Sequence, residues 1–232
     1  MWRLETAHGS WHTAQLQFHL DLTQPDRGWT RLQVGGEPLT DSLFQIHLPG
    51  AGGSQAVIDS YVRQADLVVT YAQSPDRSVR PQLVWRVLRD GEVRVGVELI
   101  LSMQTSLLES EPEVQFAHRL GGQLLRVDSD TADVCEGPAR WDSPAILLQR
   151  PPQTEQWSMA TIVHPTDFQT LSLERDEPNA WQVRCALFPQ SLEKGVIRRG
   201  RVRGIFVPRA EDVDYARQCH AELTEAAPPL TT

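Results

Sequence analysis

One stretch, residues 79–105, constrains this chain more than any other, because it combines two long strand-like runs with a tight-turn signal. The dipeptide Asp90-Gly91 accepts the positive φ angles of a two-residue turn between antiparallel strands. The stretch therefore predicts a long β-hairpin. If the turn has two residues, Trp85 pairs with Gly96 across the hairpin.

Alternation sorts the side chains of this hairpin between two faces, because neighbouring strand residues point in opposite directions. One face is predicted to be apolar and consists of Val84, Leu88, Val93, Val95, Val97, Leu99, Leu101 and Met103. The other face is predicted to be polar and consists of Trp85, Arg94, Glu98, Ser102 and Gln104. An indole, a carboxylate, a guanidinium and an amide on one surface suit a wet binding site, but they specify no reaction.

Strand-like segments recur at short spacing through the rest of the chain, with turn residues between them. They are residues 14–22, 29–34, 43–48, 65–72, 114–120, 123–127, 146–150, 157–164, 168–174, 181–188 and 196–207. A glycine pair predicts that residues 29–34 and 43–48 form a hairpin. A second glycine pair predicts the same for residues 114–120 and 123–127. Residues 128–144 show little periodicity and are predicted to form a long loop.

Residues 210–226 are the one segment with convincing helical periodicity. Acidic residues occupy its first turns, where the positive end of the helix dipole favours them, and Pro228-Pro229 is predicted to end it. Its apolar stripe consists of Val213, Ala216, Cys219 and Leu223. A dozen strands and one terminal helix predict an all-β fold. We expect a single-domain antiparallel β-sandwich, residues 1–232, with the helix packed on a sheet.

Composition argues against several classes of function. A net charge of −8 disfavours a general nucleic-acid binder, because backbone phosphates require a basic surface. The chain has no run of about 18 apolar residues, so no membrane span is predicted. The cysteines Cys135, Cys185 and Cys219 lie far apart and predict reduced thiols in a cytoplasmic protein. Phosphate-loop, dinucleotide-binding and serine-hydrolase motifs are missing, and no cofactor is predicted.

The polar face of the hairpin is the first candidate binding site. An exposed indole beside a carboxylate can hold a sugar, because the apolar face of a pyranose stacks on the ring while polar groups take its hydroxyls. Trp85, Glu98 and Gln104 would act in this way. The alternative is structural: Trp85 covers Gly96 across the strands and packs in a core.

The last predicted strand carries three arginines on one face: Arg199, Arg201 and Arg203. Such a row repels itself unless carboxylates or an anionic ligand lie opposite. Glu98, Glu174 or Glu193 would satisfy it as structural ion pairs. The functional alternative is an array of donors for an acidic or hydroxyl-rich ligand.

Seven histidines occur singly, and two of them are candidates for acid–base chemistry. These are His118 and His164, on or at the end of predicted strands, where a carboxylate partner would complete a proton-transfer pair. A lone histidine is more often a hydrogen-bonded structural residue, and this alternative stays open. The histidines near the start of the chain lack the spacing of a metal site, so no metal is predicted.

Residues 97–105 have the sequence VELILSMQT, and residues 192–207 have the sequence LEKGVIRRGRVRGIFV before the helix. In these segments the chain resembles proteins of the galactose-mutarotase-like β-supersandwich superfamily. The resemblance implies an open concave sheet that binds carbohydrate. It also implies that a sugar epimerase of this kind uses a histidine and a glutamate as acid and base.

We therefore expect a carbohydrate-binding protein, and a sugar-active one if it is an enzyme. In such an enzyme, Glu98 or Glu193 is expected to act as the base and His118 or His164 as the acid. The residues expected to bind the substrate are Trp85, Arg86, Gln104 and Arg203. Arg86 falls on the apolar face of the predicted register, so its role assumes a wet edge there. The rival hypothesis is a non-catalytic binding or assembly protein that uses residues 128–144 or a free strand edge.

Overall fold

The computed structural model describes residues 1–50, 53–74, 76–91, 93–177, 180–188 and 190–227. The strands are β1 Trp2–Glu5, β2 His8–His12, β3 Leu16–Asp21, β4 Thr30–Val34, β5 Glu37–Pro38, β6 Ser42–His47, β7 Val57–Arg63, β8 Asp66–Tyr71, β9 Arg80–Asp90, β10 Arg94–Gln104, β11 Glu109–Ser110, β12 Val114–Gly121, β13 Gln123–Val127, β14 Ala132–Val134, β15 Ala139–Trp141, β16 Ile146–Arg150, β17 Trp157–Val163, β18 Phe168–Glu177, β19 Ala180–Leu187, β20 Leu192–Glu193 and β21 Ile197–Pro208. Helix α1 is Asp212–Glu225, and short 3₁₀ turns form at Pro25–Arg27 and Arg209–Glu211. The chain is an all-β protein with a C-terminal helix, as predicted.

The strands form several antiparallel sheets. The largest has nine strands in the order β14-β13-β16-β17-β21-β10-β9-β8-β7. One five-stranded sheet has the order β15-β18-β19-β12-β6, and another has the order β1-β2-β3-β4-β5. Strands β11 and β20 form a two-stranded ribbon. The predicted hairpin, β9 and β10, lies inside the nine-stranded sheet, where each strand has a partner on both sides.

One apolar cluster joins the three larger sheets. Phe18, Trp85 and Phe116 come from different sheets, and each is at most 2% exposed. Rings stack through the cluster, with centroids 4.3 Å apart for Phe18 and Trp29 and 4.8 Å apart for Trp29 and Phe44. Burial of such large apolar groups is the dominant stabilising contribution to a fold. The architecture is a β-sandwich, and we call the side of the nine-stranded sheet that faces this cluster its inner face.

Helix α1 lies on the opposite side of the nine-stranded sheet, its outer face, where a second apolar cluster forms. The helix contributes Ala216, Cys219 and Leu223, with Val213 packed against them. The sheet contributes Leu125, Val127, Ile146, Leu148, Ala160, Ile162, Ile205 and Val207. The predicted helix and its apolar stripe are confirmed. Pro228-Pro229, predicted to end the helix, lies outside the described residues.

The two smaller hairpins predicted from glycine pairs are not formed, because their strands belong to different sheets. One isolated antiparallel bridge, between Trp29 and Leu43, is the contact observed between the segments of the first. Strand β12 pairs with β6 and β19, whereas β13 pairs with β14 and β16. Strand β4 pairs with β3 and β5, whereas β6 pairs with β12. A glycine turn predicts that the chain bends, but not which strand it meets afterwards. The loop predicted for residues 128–144 is also wrong in part, since it contains β14 and β15, which extend the edges of two sheets.

The register of the central hairpin differs from the prediction. Asp90 pairs with Arg94, so three residues separate the paired ends instead of two. Trp85 consequently pairs with Leu99 and not with Gly96. Because side chains alternate between the two faces, this odd shift moves every residue of β9 to the other face relative to β10.

Several residues of β9 change sides as a result. Trp85 is 2% exposed on the inner face, where its ring meets that of Phe44 edge-on at 5.8 Å, so its predicted position on the polar face is wrong. The structural alternative, burial in a core, is the observed one. Val84 and Leu88, predicted to face the core, lie with Arg86 on the outer face and are only partly buried.

Candidate ligand-binding site

The outer face of the nine-stranded sheet carries polar residues, as predicted, but they contact one another. Arg86, predicted on the apolar face, lies here and pairs across the strands with Glu98. Its guanidinium donates two hydrogen bonds to the carboxylate of Asp66, both of 2.9 Å. Nearby, the amide of Gln82 donates to the hydroxyl of Thr70 at 3.0 Å. This part of the face is a set of cross-strand pairs.

Glu98 and Arg203 face each other across β10 and β21 and form a buried ion pair. Nη2 of Arg203 donates to Oε2 of Glu98 at 2.7 Å, and the two residues are 8% and 6% exposed. Nη1 of Arg203 donates to the carbonyl oxygen of Cys219 in the helix at 3.2 Å. Arg94 donates to Glu222 on the same helix at 3.0 Å. The predicted ion pair with Glu98 is confirmed for Arg203, one member of the arginine row, and the pair helps to fasten helix α1 to the sheet.

The other predicted partners of the arginine row lie elsewhere. Glu174 accepts a hydrogen bond of 2.9 Å from an arginine on β19. Glu193 is exposed on β20, where it lies opposite Glu109 in the two-stranded ribbon. Gln104, at the end of β10, accepts a hydrogen bond from Arg80. Glu193 therefore belongs to a different sheet from the predicted substrate-binding residues.

His118, one of the two predicted acids, is completely buried in the core between the sheets. Its Nδ1 accepts a hydrogen bond of 2.9 Å from the backbone N–H of Phe44. The ring proton therefore resides on Nε2, which lies 3.5 Å from the hydroxyl oxygen of Thr161. Burial lowers the pKa of His118 to about 3, so the ring is neutral at neutral pH. The nine-stranded sheet separates this ring from Glu98, and the two do not form an acid–base pair.

His164, the other predicted acid, lies in the turn between β17 of the large sheet and β18 of a five-stranded sheet. The N–H of Asp167 donates to the carbonyl oxygen of His164 at 2.9 Å, and the N–H of His164 donates to that of Arg201 at 3.0 Å. The N–H of Arg201 donates in return to Oδ2 of Asp167 at 2.9 Å. Nδ1 of His164 lies 2.8 Å from the hydroxyl oxygen of Thr166. The turn is thus fixed to β21 and presents an imidazole, a hydroxyl and a carboxylate.

These groups line a cavity of about 440 Å³, which we call the His164 pocket. Its lining consists of His164, Thr166, Asp167, Arg199, Arg201 and residues 224–227 at the end of the helix. Burial, and then the charge of Arg201, lower the pKa of His164 below its usual value. Asp167 and a hydrogen bond to the backbone of Thr224 act in the opposite direction, with smaller effect. The imidazole is therefore neutral at neutral pH.

The pocket contains one predicted catalytic residue and part of the predicted arginine row. Thr166 and Asp167 belong to it although their sequence context marks only a turn: Pro, Thr and Asp between two strand-like segments are typical turn residues. That composition predicts where the chain bends. The pairing of β17 with β21 is what places the turn beside Arg201.

Cavities of similar size open elsewhere on the described surface. One of about 400 Å³ has Glu111, Glu113 and Phe188 in its lining and offers mainly carboxylates and amides. Another of about 460 Å³ lies beside the helix, with His220 and apolar residues in its lining. There the guanidinium of Arg217 already donates to the carbonyl oxygen of Asp128 at 3.0 Å. In the His164 pocket, Nη1 of Arg201 likewise donates to the carbonyl oxygen of Ala226, at 3.3 Å. The lining of this pocket nevertheless combines imidazole, hydroxyl, carboxylate and guanidinium groups, which is more kinds of polar group than either of these two cavities offers.

No protein-family model matches this chain, and no curated protein matches it in sequence. The described part of the chain contains no helix with both the length and the apolar character that crossing a bilayer requires. The class that fold and site define is an all-β sandwich with a helix laid on its largest sheet. A polar pocket lies where that helix, the sheet and one inter-sheet turn meet.

Proposed function

We propose that this protein binds carbohydrate, or a comparable hydroxyl-rich small molecule, in the His164 pocket, and that it does so without catalysis. The observation that carries the proposal is the set of groups around one cavity of about 440 Å³: a neutral imidazole, two hydroxyls, two carboxylates and two guanidinium groups. That volume lies within the usual range of small-molecule sites. Neighbouring sugar hydroxyls need both donors and acceptors at short spacing, and this set supplies both.

The charge of the pocket favours a neutral ligand. The positive charges of Arg199 and Arg201 are balanced by the negative charges of Asp167 and Glu225 in the same lining. The pocket also meets the C-terminal end of helix α1, where the helix dipole places partial negative charge. A neutral sugar therefore fits this environment better than a phosphorylated one.

The arrangement supports binding more than proton transfer. Enzymes that act at a glycosidic carbon hold two acid–base groups roughly 5–9 Å apart, with the sugar between them. In the pocket, Oδ2 of Asp167 lies 3.8 Å from Nδ1 of His164, which leaves no room for a sugar between these atoms. The other predicted acids and bases lie outside the pocket: Glu98 in the ion pair under the helix, His118 in the core and Glu193 on the two-stranded ribbon.

Saturation-transfer NMR with neutral mono- and disaccharides tests the proposal. At least one sugar in the panel is expected to bind the whole protein. The variant Thr166→Val keeps the shape of the side chain but removes its hydroxyl, and we expect it to weaken binding about tenfold, the effect of one lost hydrogen bond. Glu113→Gln, in the acidic cavity, is the matched control and is expected to leave the affinity unchanged.

Two results would contradict the proposal. The first is that no sugar binds, or that Thr166→Val binds as tightly as the original chain. The second concerns catalysis: interconversion of sugar anomers, followed in the same samples, is expected to proceed at the uncatalysed rate. An acceleration that His164→Gln abolishes would show that the protein is a sugar-converting enzyme.

A further inference from the structure

The nine-stranded sheet ends at β7, Val57–Arg63, and β7 has one paired side in the described structure. Every residue of the strand is at least partly exposed, although β1 lies close to it. Large apolar side chains on this strand are also exposed: Ile58 by 57%, Tyr61 by 42% and Val62 by 39%. An exposed edge of this kind is a template for another strand.

The opposite edge of the same sheet is built differently. Strand β14 has only three residues, and Asp130 and Asp133 lie in or beside it. Short edge strands and charged residues are the usual protection against strand addition. Strand β7 has seven residues, contains no proline, glycine or lysine, and is rich in β-branched and aromatic residues. Its register is irregular between Val57 and Asp59 and regular from Asp59 to Arg63, and its two charged residues, Asp59 and Arg63, have opposite signs. The contrast marks β7 as an edge suited to pairing.

We propose that β7 pairs antiparallel with β7 of a second copy of this chain, so that two nine-stranded sheets join into one. A two-fold axis perpendicular to the sheet keeps the outer faces of both copies on the same side. In that symmetry, opposing residues must have numbers of equal parity, because alternate side chains point to opposite faces. The axis therefore passes between two copies of the same residue.

Charge selects the residue on the axis. With Tyr61 on the axis, Asp59 of each copy lies opposite Arg63 of the other, which gives two cross-strand pairs of opposite charge. Moving the axis to Ser60 places Asp59 opposite Tyr61, and moving it to Val62 places Asp59 beyond the end of the partner strand. The Tyr61 register is the one in which the strand is complementary to itself. Arg63 also lies opposite Asp66 of its own chain, so Asp59 of the second copy would be a second carboxylate beside that guanidinium.

The first test is the mass of the whole protein in solution by light scattering or sedimentation. The expected mass is twice the 26.1 kDa of one chain, with dissociation on dilution. Asp59→Arg and Arg63→Asp alone are each expected to weaken association at least fivefold, because like charges then oppose each other. The two changes together are expected to restore it. Asp133→Arg, on the opposite edge, is the matched control and should leave the mass unchanged.

A cross-link tests the register directly. In a Cys135→Ser background, Tyr61→Cys places two thiols opposite each other, at the roughly 4.5–5.5 Å Cβ separation of an antiparallel pair, and a disulfide-linked dimer is expected on oxidation. Asp59→Cys is the control, since its two copies would lie about 13 Å apart along the strands and should not join. A monomer at every concentration, a dimer insensitive to the β7 variants, or equal cross-linking of both cysteines would overturn the proposal.

Discussion

Glu98 and Arg203 form an ion pair of 2.7 Å across β10 and β21, although 105 residues separate them in the chain. Helix α1 closes over the pair, and the backbone of Cys219 accepts a second hydrogen bond from the same guanidinium. Burial of two charges is costly unless they are paired and hydrogen-bonded. The pair is therefore part of the contact between helix α1 and the sheet. Its residue types would also suit a sugar-binding site, but here they bind each other.

Removal of one partner is expected to destabilise the protein strongly. Glu98→Gln removes the short ion pair and leaves the buried guanidinium of Arg203 with the longer contact of 3.8 Å to Glu222. We therefore expect a loss of about 3 kcal/mol in the free energy of unfolding, the lower end of the range for a broken buried pair, measured by urea denaturation. The double variant Glu98→Leu/Arg203→Met is expected to lose less free energy of unfolding than Glu98→Leu and Arg203→Met lose when their separate losses are added. Strictly additive losses would contradict the coupling.

The stability of the protein is expected to fall in weak acid because of His118. The pKa of this residue is lowered by burial to about 3, whereas that of an unfolded histidine is about 6.5. Between these values the unfolded state binds one more proton, so stability is complete above about pH 6.5 and is lost as the pH falls toward 3. The expected loss between pH 7 and pH 5 is about 2 kcal/mol from this residue.

Urea denaturation at pH 7 and pH 5 measures that loss, and His118→Gln is the control. Its amide oxygen can accept the N–H of Phe44, as Nδ1 does in the original chain, but it does not titrate. At pH 7 the variant should be less stable than the original protein. Between pH 7 and pH 5 its free energy of unfolding should fall by about 2 kcal/mol less than that of the original protein. Parallel pH profiles would show that His118 contributes nothing to the acid sensitivity.

Gly204 is expected to tolerate no side chain. A Cβ there would lie 2.5 and 2.6 Å from two ring atoms of Phe44, and that ring is already held by Trp29 and His118. Gly204→Ala should therefore lower the free energy of unfolding by about 1–3 kcal/mol through overpacking. Gly137→Ala is the matched control, because no atom lies within 4 Å of the added Cβ, and it should change stability by less than about 0.5 kcal/mol.

The three thiols are expected to react in two phases. Cys185 and Cys219 are completely buried, whereas Cys135 is partly exposed. Burial raises the pKa of all three thiols, but accessibility separates them. With a chromogenic disulfide reagent, one equivalent should react in the folded protein and the other two only on unfolding. Cys135→Ser should remove the first phase, and a fast phase that survives this change would refute the assignment.

The periodicity of single strands predicts the burial of β10 and β21 well. Val95, Val97, Leu99, Leu101 and Met103 are buried on the inner face as predicted. Val93, predicted on the same face, lies in the turn before β10 and is 42% exposed. The arginine row and the helix stripe are also where alternation and helical spacing place them. These features depend only on which side of one strand or helix faces the core. The spacing of apolar and polar residues within that element is enough to predict that side.

The relation between elements was harder to predict. The turn after Asp90 is one residue longer than the Asp-Gly signal suggests, and that single residue moves Trp85 from the polar face to the core. Contact of the indole with Phe44, which lies in another sheet, favours the observed register. This contact could not be predicted from the sequence of the hairpin alone.

The sequence by itself determined the all-β class, most strand positions, the terminal helix and the faces of β10 and β21. Only the tertiary structure decided that helix α1 covers Glu98, that His118 lies in the core and that His164 meets Arg201. The physical reason is range: periodicity is set by adjacent residues, whereas sheet order and burial depend on contacts between segments far apart in the chain.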